Sequence, residues 1–262
     1  MSAIVLRDEI VHYEVLGRGR PLLFIHGWVG SWRYWIPTMQ AATLSYRTYA
    51  LDMWGFGDTA KTPSYYSMEQ QCMLVEDFID SMGIGKIALI GHGLGAIIAL
   101  LYTTRHPDLV DRVMAAGYPQ NEKSISPRLH SAPPTELADW LLGRVPSMEA
   151  AWAEAPKADP RAISLSLASL QDIDLTSLPN RIQNSILFVH GVNDPAIEAP
   201  ATEDTDQWNE NIHCIYFEQS AHFPMLDETS KFNRLLIDFL NLNSGASPRQ
   251  LQLKEEWKRR VR

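Results

Sequence analysis

The sequence predicts an α/β architecture: a mostly parallel, twisted sheet of about eight strands, with helices on both faces and a short helical lid. Three observations carry that prediction. Short apolar, β-branched runs recur along the 262 residues, and amphipathic stretches at helical spacing separate most of the later ones. In addition, 45% of the residues are apolar and 21% charged, a globular composition long enough for one sizeable core.

Taken in order, strands are expected over Ala3–Leu6 and Ile10–Val15, joined only by Arg7-Asp8-Glu9 and therefore an antiparallel edge. Pro21–His26 and Thr48–Asp52 follow. The stretch Met68–Met82 repeats its apolar residues (Leu74, Phe78, Ile79, Met82) as a helix does, and leads to a strand at Lys86–Ile90. Helix Leu94–His106 and strand Arg112–Ala116 continue the alternation, which implies parallel crossover units. From Gly117 to about Thr176 the rhythm breaks. Pro119, Pro127, Pro133, Pro134, Pro146, Pro156 and Pro160 punctuate helical segments such as Thr135–Leu142 and Met148–Glu154, as an inserted lid would. Strands at Ser185–His190 and His213–Phe217 and a helix at Glu228–Leu242 complete the pattern. The expected organisation is a core of 1–117 and 177–242, a lid of 118–176, and a basic tail of 243–262 outside the main fold.

Charge and cysteine usage narrow the function. With 23 Lys+Arg against 31 Asp+Glu the net charge is −8, so no nucleic-acid partner is expected. Cys72 and Cys214 lie far apart, each in an apolar stretch, and neither a disulfide nor a zinc spacing is indicated. A reducing cytoplasm is the expected location. The charged N-terminus has no secretory apolar stretch, and no apolar run reaches the ~20 residues of a membrane span.

The chemistry-bearing segments sit at strand ends. Gly91-His92-Gly93-Leu94-Gly95 joins a strand to a helix, with small residues on both sides of its apex. A dinucleotide-binding reading fails, because Ala96 stands where that pattern needs glycine and no acidic residue ends the next strand. His26-Gly27-Trp28, Asp52 to Thr59, Gly191-Val192-Asn193-Asp194-Pro195 and Ser220-Ala221-His222 all follow strands, at the edge where such sheets gather ligands.

In this order and context the chain resembles the α/β-hydrolase superfamily over about residues 3–242, as a short-lid, esterase-like member. The resemblance implies that His222 is the general base and Asp194 the carboxylate that orients it. Glu122 is a weaker alternative acid. It also implies that the Trp28 and Leu94 backbone N–H groups form an oxyanion hole, with His26, Gly27, His92 and Trp54 around the pocket. At the apex, where the superfamily places Ser, Cys or Asp, stands Gly93. No cofactor or metal is implied. A compact apolar molecule is the expected ligand, since Trp28, Trp32, Tyr34, Trp35, Trp54 and Phe56 crowd the motif loops.

Three readings stay open. The first is a hydrolase-type protein for a small ester, thioester or related acyl compound, its nucleophile lost or engineered away. The second is a pseudoenzyme that binds a ligand or partner without catalysis. The third is a cofactor-free proton-transfer enzyme that uses His222 and Asp194 directly. In the tail, Leu253, Trp257 and Val261 recur every fourth residue, a stripe that predicts docking on the body, on a second copy or on a partner protein.

Overall fold

Alternation between buried strand and amphipathic helix builds the molecule around one sheet. The computed structural model describes residues 2–143, 148–205, 207–243 and 245–253. Among these, eight strands are ordered β1-β2-β4-β3-β5-β6-β7-β8: β1 (Ser2–Leu6), β2 (Glu9–Gly17), β3 (Arg20–Ile25), β4 (Tyr46–Leu51), β5 (Ile87–His92), β6 (Val110–Ala116), β7 (Ser185–Gly191) and β8 (Ile212–Phe217). Strand β2 runs against both its neighbours, and every other pairing is parallel. Every residue of β5 is buried, as a central parallel strand covered on both faces requires. Edge strand β1 alternates, leaving Val5 in solvent.

The helices are α1 (Ile36–Ala42), α2 (Met68–Ser81), α3 (Leu94–Arg105), α4 (Pro127–Ser131), α5 (Pro134–Leu141), α6 (Glu149–Glu154), α7 (Pro160–Ala168), α8 (Thr202–Thr205), α9 (Pro224–Asp227) and α10 (Thr229–Leu240). Besides the short α4, α8 and α9, the sequence reading omits α1 and α7. Both carry proline in the first turn, where a missing N–H costs nothing, so the residue that looks like a breaker is a helix start.

Helices α4 to α7 lie between β6 and β7 and rest on the loops leaving β3 and β4. Glu154 accepts from Ser31 Oγ at 3.2 Å and from Arg33 Nε at 2.9 Å. Tyr66 Oη donates to Asp159 Oδ2 at 3.0 Å, and Lys157 pairs with Asp58 at 3.0 Å. The chain after α10 departs from its expected place outside the fold. Arg249 donates to the carbonyls of Trp208 and Ile212 at 2.7 and 3.1 Å, Ser247 Oγ donates to Glu210 O at 2.7 Å, and Leu251 is buried. A guanidinium with five donors thus serves carbonyls both in the turn before β8 and at its first residue. Trp257 and Val261 lie outside the described residues. No helix among the described residues is long and apolar enough to cross a membrane.

Candidate active site

Strand order makes the site. From β3 the chain moves to β4 on one side and later returns to β5 on the other, so the crevice between the C-terminal ends of β3 and β5 is a topological switch point. The turn after β5 enters α3 there. A Cβ at Gly91 would lie 2.2 Å from Gly95 O, and one at Gly95 would lie 2.2 Å from Ile25 O, so only glycine lets the three backbones meet. The intervening Gly93 has φ +50° and ψ −109°, a conformation that costs side-chain-bearing residues about 1–2 kcal/mol.

The space beside Gly93 is not open. A Cβ there would touch the Trp28 ring at 3.3 and 3.4 Å. That ring is fully buried, and its Nε1 donates to Ser166 Oγ of α7 at 3.0 Å. Trp28 follows β3, and Leu94 is the first residue of α3, whose N–H therefore lacks an intrahelical acceptor. A hydrogen bond from Gly95 N to His26 O at 3.1 Å ties the two segments together.

Asp194, after β7, and His222, after β8, are paired. His222 Nδ1 lies 2.9 Å from Asp194 Oδ2 and 3.1 Å from Oδ1. The His222 side chain is 0% exposed and that of Asp194 3%. Burial works against the Asp194 charge. The His222 charge and hydrogen bond, with N–H bonds from Ala196 and Ile197 at 2.8 and 3.1 Å, outweigh it and lower the carboxyl below its ordinary range. An ionised carboxylate only accepts, so the ring carries a proton on Nδ1. Its buried Nε2 has no partner among the described residues. Such a pair can take a proton at Nε2 from a bound group. Glu122 is exposed and borders a separate cavity of about 700 Å³ with Ile125, His130 and Leu167, so the weaker candidate acid is not the one beside His222.

The other expected pocket residues are mostly braces. His26 donates from Nδ1 to Gly27 O at 2.7 Å and accepts Met53 N–H on Nε2 at 3.0 Å, and burial keeps it neutral. The Trp54 backbone is clamped by the Gln71 amide, with both bonds at 2.9 Å. His92 lies between Tyr34 Oη and the His222 carbonyl. A Cβ at Gly27 would strike His92 Nδ1 at 2.9 Å.

Sequence reasoning missed two contributors. Ser166 sits in an unremarkable helical stretch, and nothing local distinguishes it. Asp52, named in the sequence only as the start of the segment after β4, accepts from Trp32 N at 2.9 Å, Asp58 N at 3.1 Å and the His12 ring at 2.9 Å. His12, Asp52 and Asp58 also form the one cluster of metal-ligand type among the described residues. These hydrogen bonds and the Lys157–Asp58 pair account for it as a tie between loops.

Comparison with known proteins agrees with this architecture. The family model described as alpha/beta hydrolase fold matches residues 20–162, more than half of the chain. The chain belongs to the α/β-hydrolase fold family. The chain is 23% identical over 256 residues to a pimeloyl-[acyl-carrier protein] methyl ester esterase of Vibrio cholerae, covering 87% of this chain and 97% of the relative. An esterase from Exiguobacterium antarcticum has the same fold, with TM-score 0.80 and 20% identity over 92% of this chain and 99% of the other. So does a serine-to-glycine mutant of the N-acyl homoserine lactonase AidH, complexed with N-hexanoyl homoserine lactone, at TM-score 0.79 and 20% identity over 91% and 96% of the two chains.

Proposed function

We propose that this α/β hydrolase takes a small ester, thioester or related acyl compound and holds it without forming an acyl-enzyme. In this reading Gly93 occupies the nucleophile position, His222 and Asp194 are the base and its orienting carboxylate, and the Trp28 and Leu94 N–H groups receive the acyl oxygen. Helices α4 to α7, within 118–176, serve as the lid. The carrying observation is the conjunction of a buried His222–Asp194 pair, with Nε2 free of partners among the described residues, and a strand-to-helix apex that has no side chain. Two relatives named for ester hydrolysis support the substrate class, and the lactonase mutant complex supports a glycine-bearing protein of this fold holding an acyl compound.

The magnitude decides against covalent turnover. Losing a triad nucleophile removes about 10⁶ in kcat, roughly 8 kcal/mol, while the oxyanion hole and binding retain about 10³ over water. The parent protein should therefore turn over short-chain p-nitrophenyl esters negligibly, and Gly93→Ser should gain hydrolysis with an acyl-enzyme burst. Robust esterase activity in the parent that His222→Ala abolishes would overturn the reading. So would a folded Gly93→Ser protein that shows no burst.

The unpaired Nε2 also favours a second reading, direct proton abstraction from the ligand. Exchange of deuterium into the α-carbon of an added thioester without hydrolysis, lost in His222→Ala, would select it.

A further inference from the structure

A buried chain of hydrogen bonds joins three loops of the site. Gly27 N–H donates to Tyr34 Oη at 2.7 Å, Tyr34 Oη lies 3.0 Å from His92 Nδ1, and His92 Nε2 lies 2.8 Å from the main-chain oxygen of His222. Its direction is forced. A carbonyl oxygen only accepts, so His92 carries its proton on Nε2 and presents a lone pair on Nδ1. The Tyr34 hydroxyl must spend its single proton on that lone pair while accepting from Gly27.

Titration does not interrupt the chain. Burial, then the neighbouring His222, hold His92 well below the ordinary imidazole range, and burial holds Tyr34 well above the phenol range, so both stay neutral. The rings are also packed together. Phe223 lies against His92, His222 and Tyr34 with centroids 4.9, 5.0 and 5.4 Å away.

We propose that Tyr34 and His92 are positioning residues for His222: the bond from His92 Nε2 to the His222 carbonyl sets the loop that carries the base, and with it the Nδ1 contact to Asp194. Each end of the chain abuts another element of the proposed site. Gly27 precedes Trp28, and His92 precedes Gly93. The base is thus registered against both the apex and the loop after β3 by one run of buried donors and acceptors. The role assigned to His222 rests on the proposed function, but the hydrogen-bond geometry and its test do not.

The test reads histidine tautomers by long-range ¹H–¹⁵N NMR at alkaline pH, in the protein without ligand. In the parent, His92 should be the Nε2–H tautomer and His222 the Nδ1–H tautomer. In His92→Leu the His222 ratio of Nε2–H to Nδ1–H should rise about tenfold or more, since the loop loses the ring donor to its carbonyl. In His92→Gln, whose amide can still reach the carbonyl, the ratio should stay at the parental value. Tyr34→Phe keeps the ring and removes the hydroxyl, so it supplies the same reading if His92→Leu fails to fold, with a smaller rise expected. Leu251→Ala, a destabilising change beside the start of β8 and so at the far end of that strand from His222, should leave His222 unaffected. An Nδ1–H tautomer at His92 in the parent overturns the proposal. So does an unchanged His222 in both His92→Leu and Tyr34→Phe, or a His92→Gln protein as perturbed as His92→Leu. Because no substrate is used, failure of the acyl-compound reading would show separately, as a Gly93→Ser protein without a burst.

Discussion

A methyl group at position 93 would press on the Trp28 ring at 3.3 Å, whereas one at position 91 would lie 2.2 Å from a backbone oxygen. An indole can give by a few tenths of an ångström, and the crossing of β5 with α3 cannot. Gly93→Ser should therefore fold, with a loss of about 1–2 kcal/mol from its positive φ, while Gly91→Ala should lose at least about 3 kcal/mol by forced backbone displacement. Urea unfolding measures both, and equal losses would contradict the account. His190 poses a different question at the same scale. It is fully buried, neither ring nitrogen has a partner among the described residues, and burial pushes it down to about 4. The unfolded chain takes up that proton near the ordinary value of 6.5. Stability from this residue is thus complete above about pH 6.5 and is lost as pH falls toward 4, a difference of about 3 kcal/mol. In His190→Leu this part of the acid sensitivity should vanish, so parent and variant urea midpoints should move toward the variant's favour between neutral pH and about pH 4.

Between elements, the site's loops are held by charges and indoles rather than by regular structure. Asp52 binds the turn at Trp32, the turn at Asp58 and the β2 residue His12 at once. For His12, burial opposes the charged form, but the Asp52 hydrogen bond and charge, joined by Glu14 and Asp58, prevail and raise it. The sign is opposite to that of His190. Its extra stability is full below the unfolded value and disappears as pH rises through the raised folded one. His12→Gln should accordingly destabilise more at about pH 6 than at about pH 9, as a difference in urea midpoints, and equal penalties would reduce the contact to a neutral hydrogen bond. The insertion is tied to the β3 loop by Trp28 Nε1 and Ser166 Oγ, both buried. Ser166→Ala leaves an indole N–H without its acceptor, and a loss of about 1–3 kcal/mol is expected in thermal or urea unfolding.

Across the whole molecule, the sheet has two edges treated differently. Among the described residues strand β1 is left open, with its Val5 and the paired Ile10 of β2 exposed, whereas β8 is flanked by 247–251, fastened by Arg249 and by the contact of His213 Nε2 with Leu251 O at 3.2 Å. A chain ending at Ala246 should melt several degrees lower and aggregate more readily, because backbone groups and an apolar seam near β8 are uncovered. Unchanged melting and unchanged oligomeric state, by calorimetry and light scattering, would show that this packing contributes nothing.

Much of this was legible in the linear chain because it is encoded locally. Alternating and helical periods marked all eight strands and α2, α3 and α10, with ends off by at most two residues where polar termini such as Arg20 and Tyr46 interrupt the apolar runs. Glycines at 91 and 95 marked the sharp turn, and residues placed just after strands, Asp194 and His222 among them, could be expected at one edge of the sheet, where the structure pairs those two. What the chain order could not reveal are contacts set by how distant segments pack. The Trp28 ring over Gly93, its bond to a serine 138 residues away, and the His92 bond to a carbonyl 130 residues away all depend on side-chain directions fixed only when the sheet and insertion close. The same holds for Arg249, whose sequence context reads as a solvated basic tail. Local pattern dictates which face of each element is buried, but it carries no term for which neighbour that face will meet.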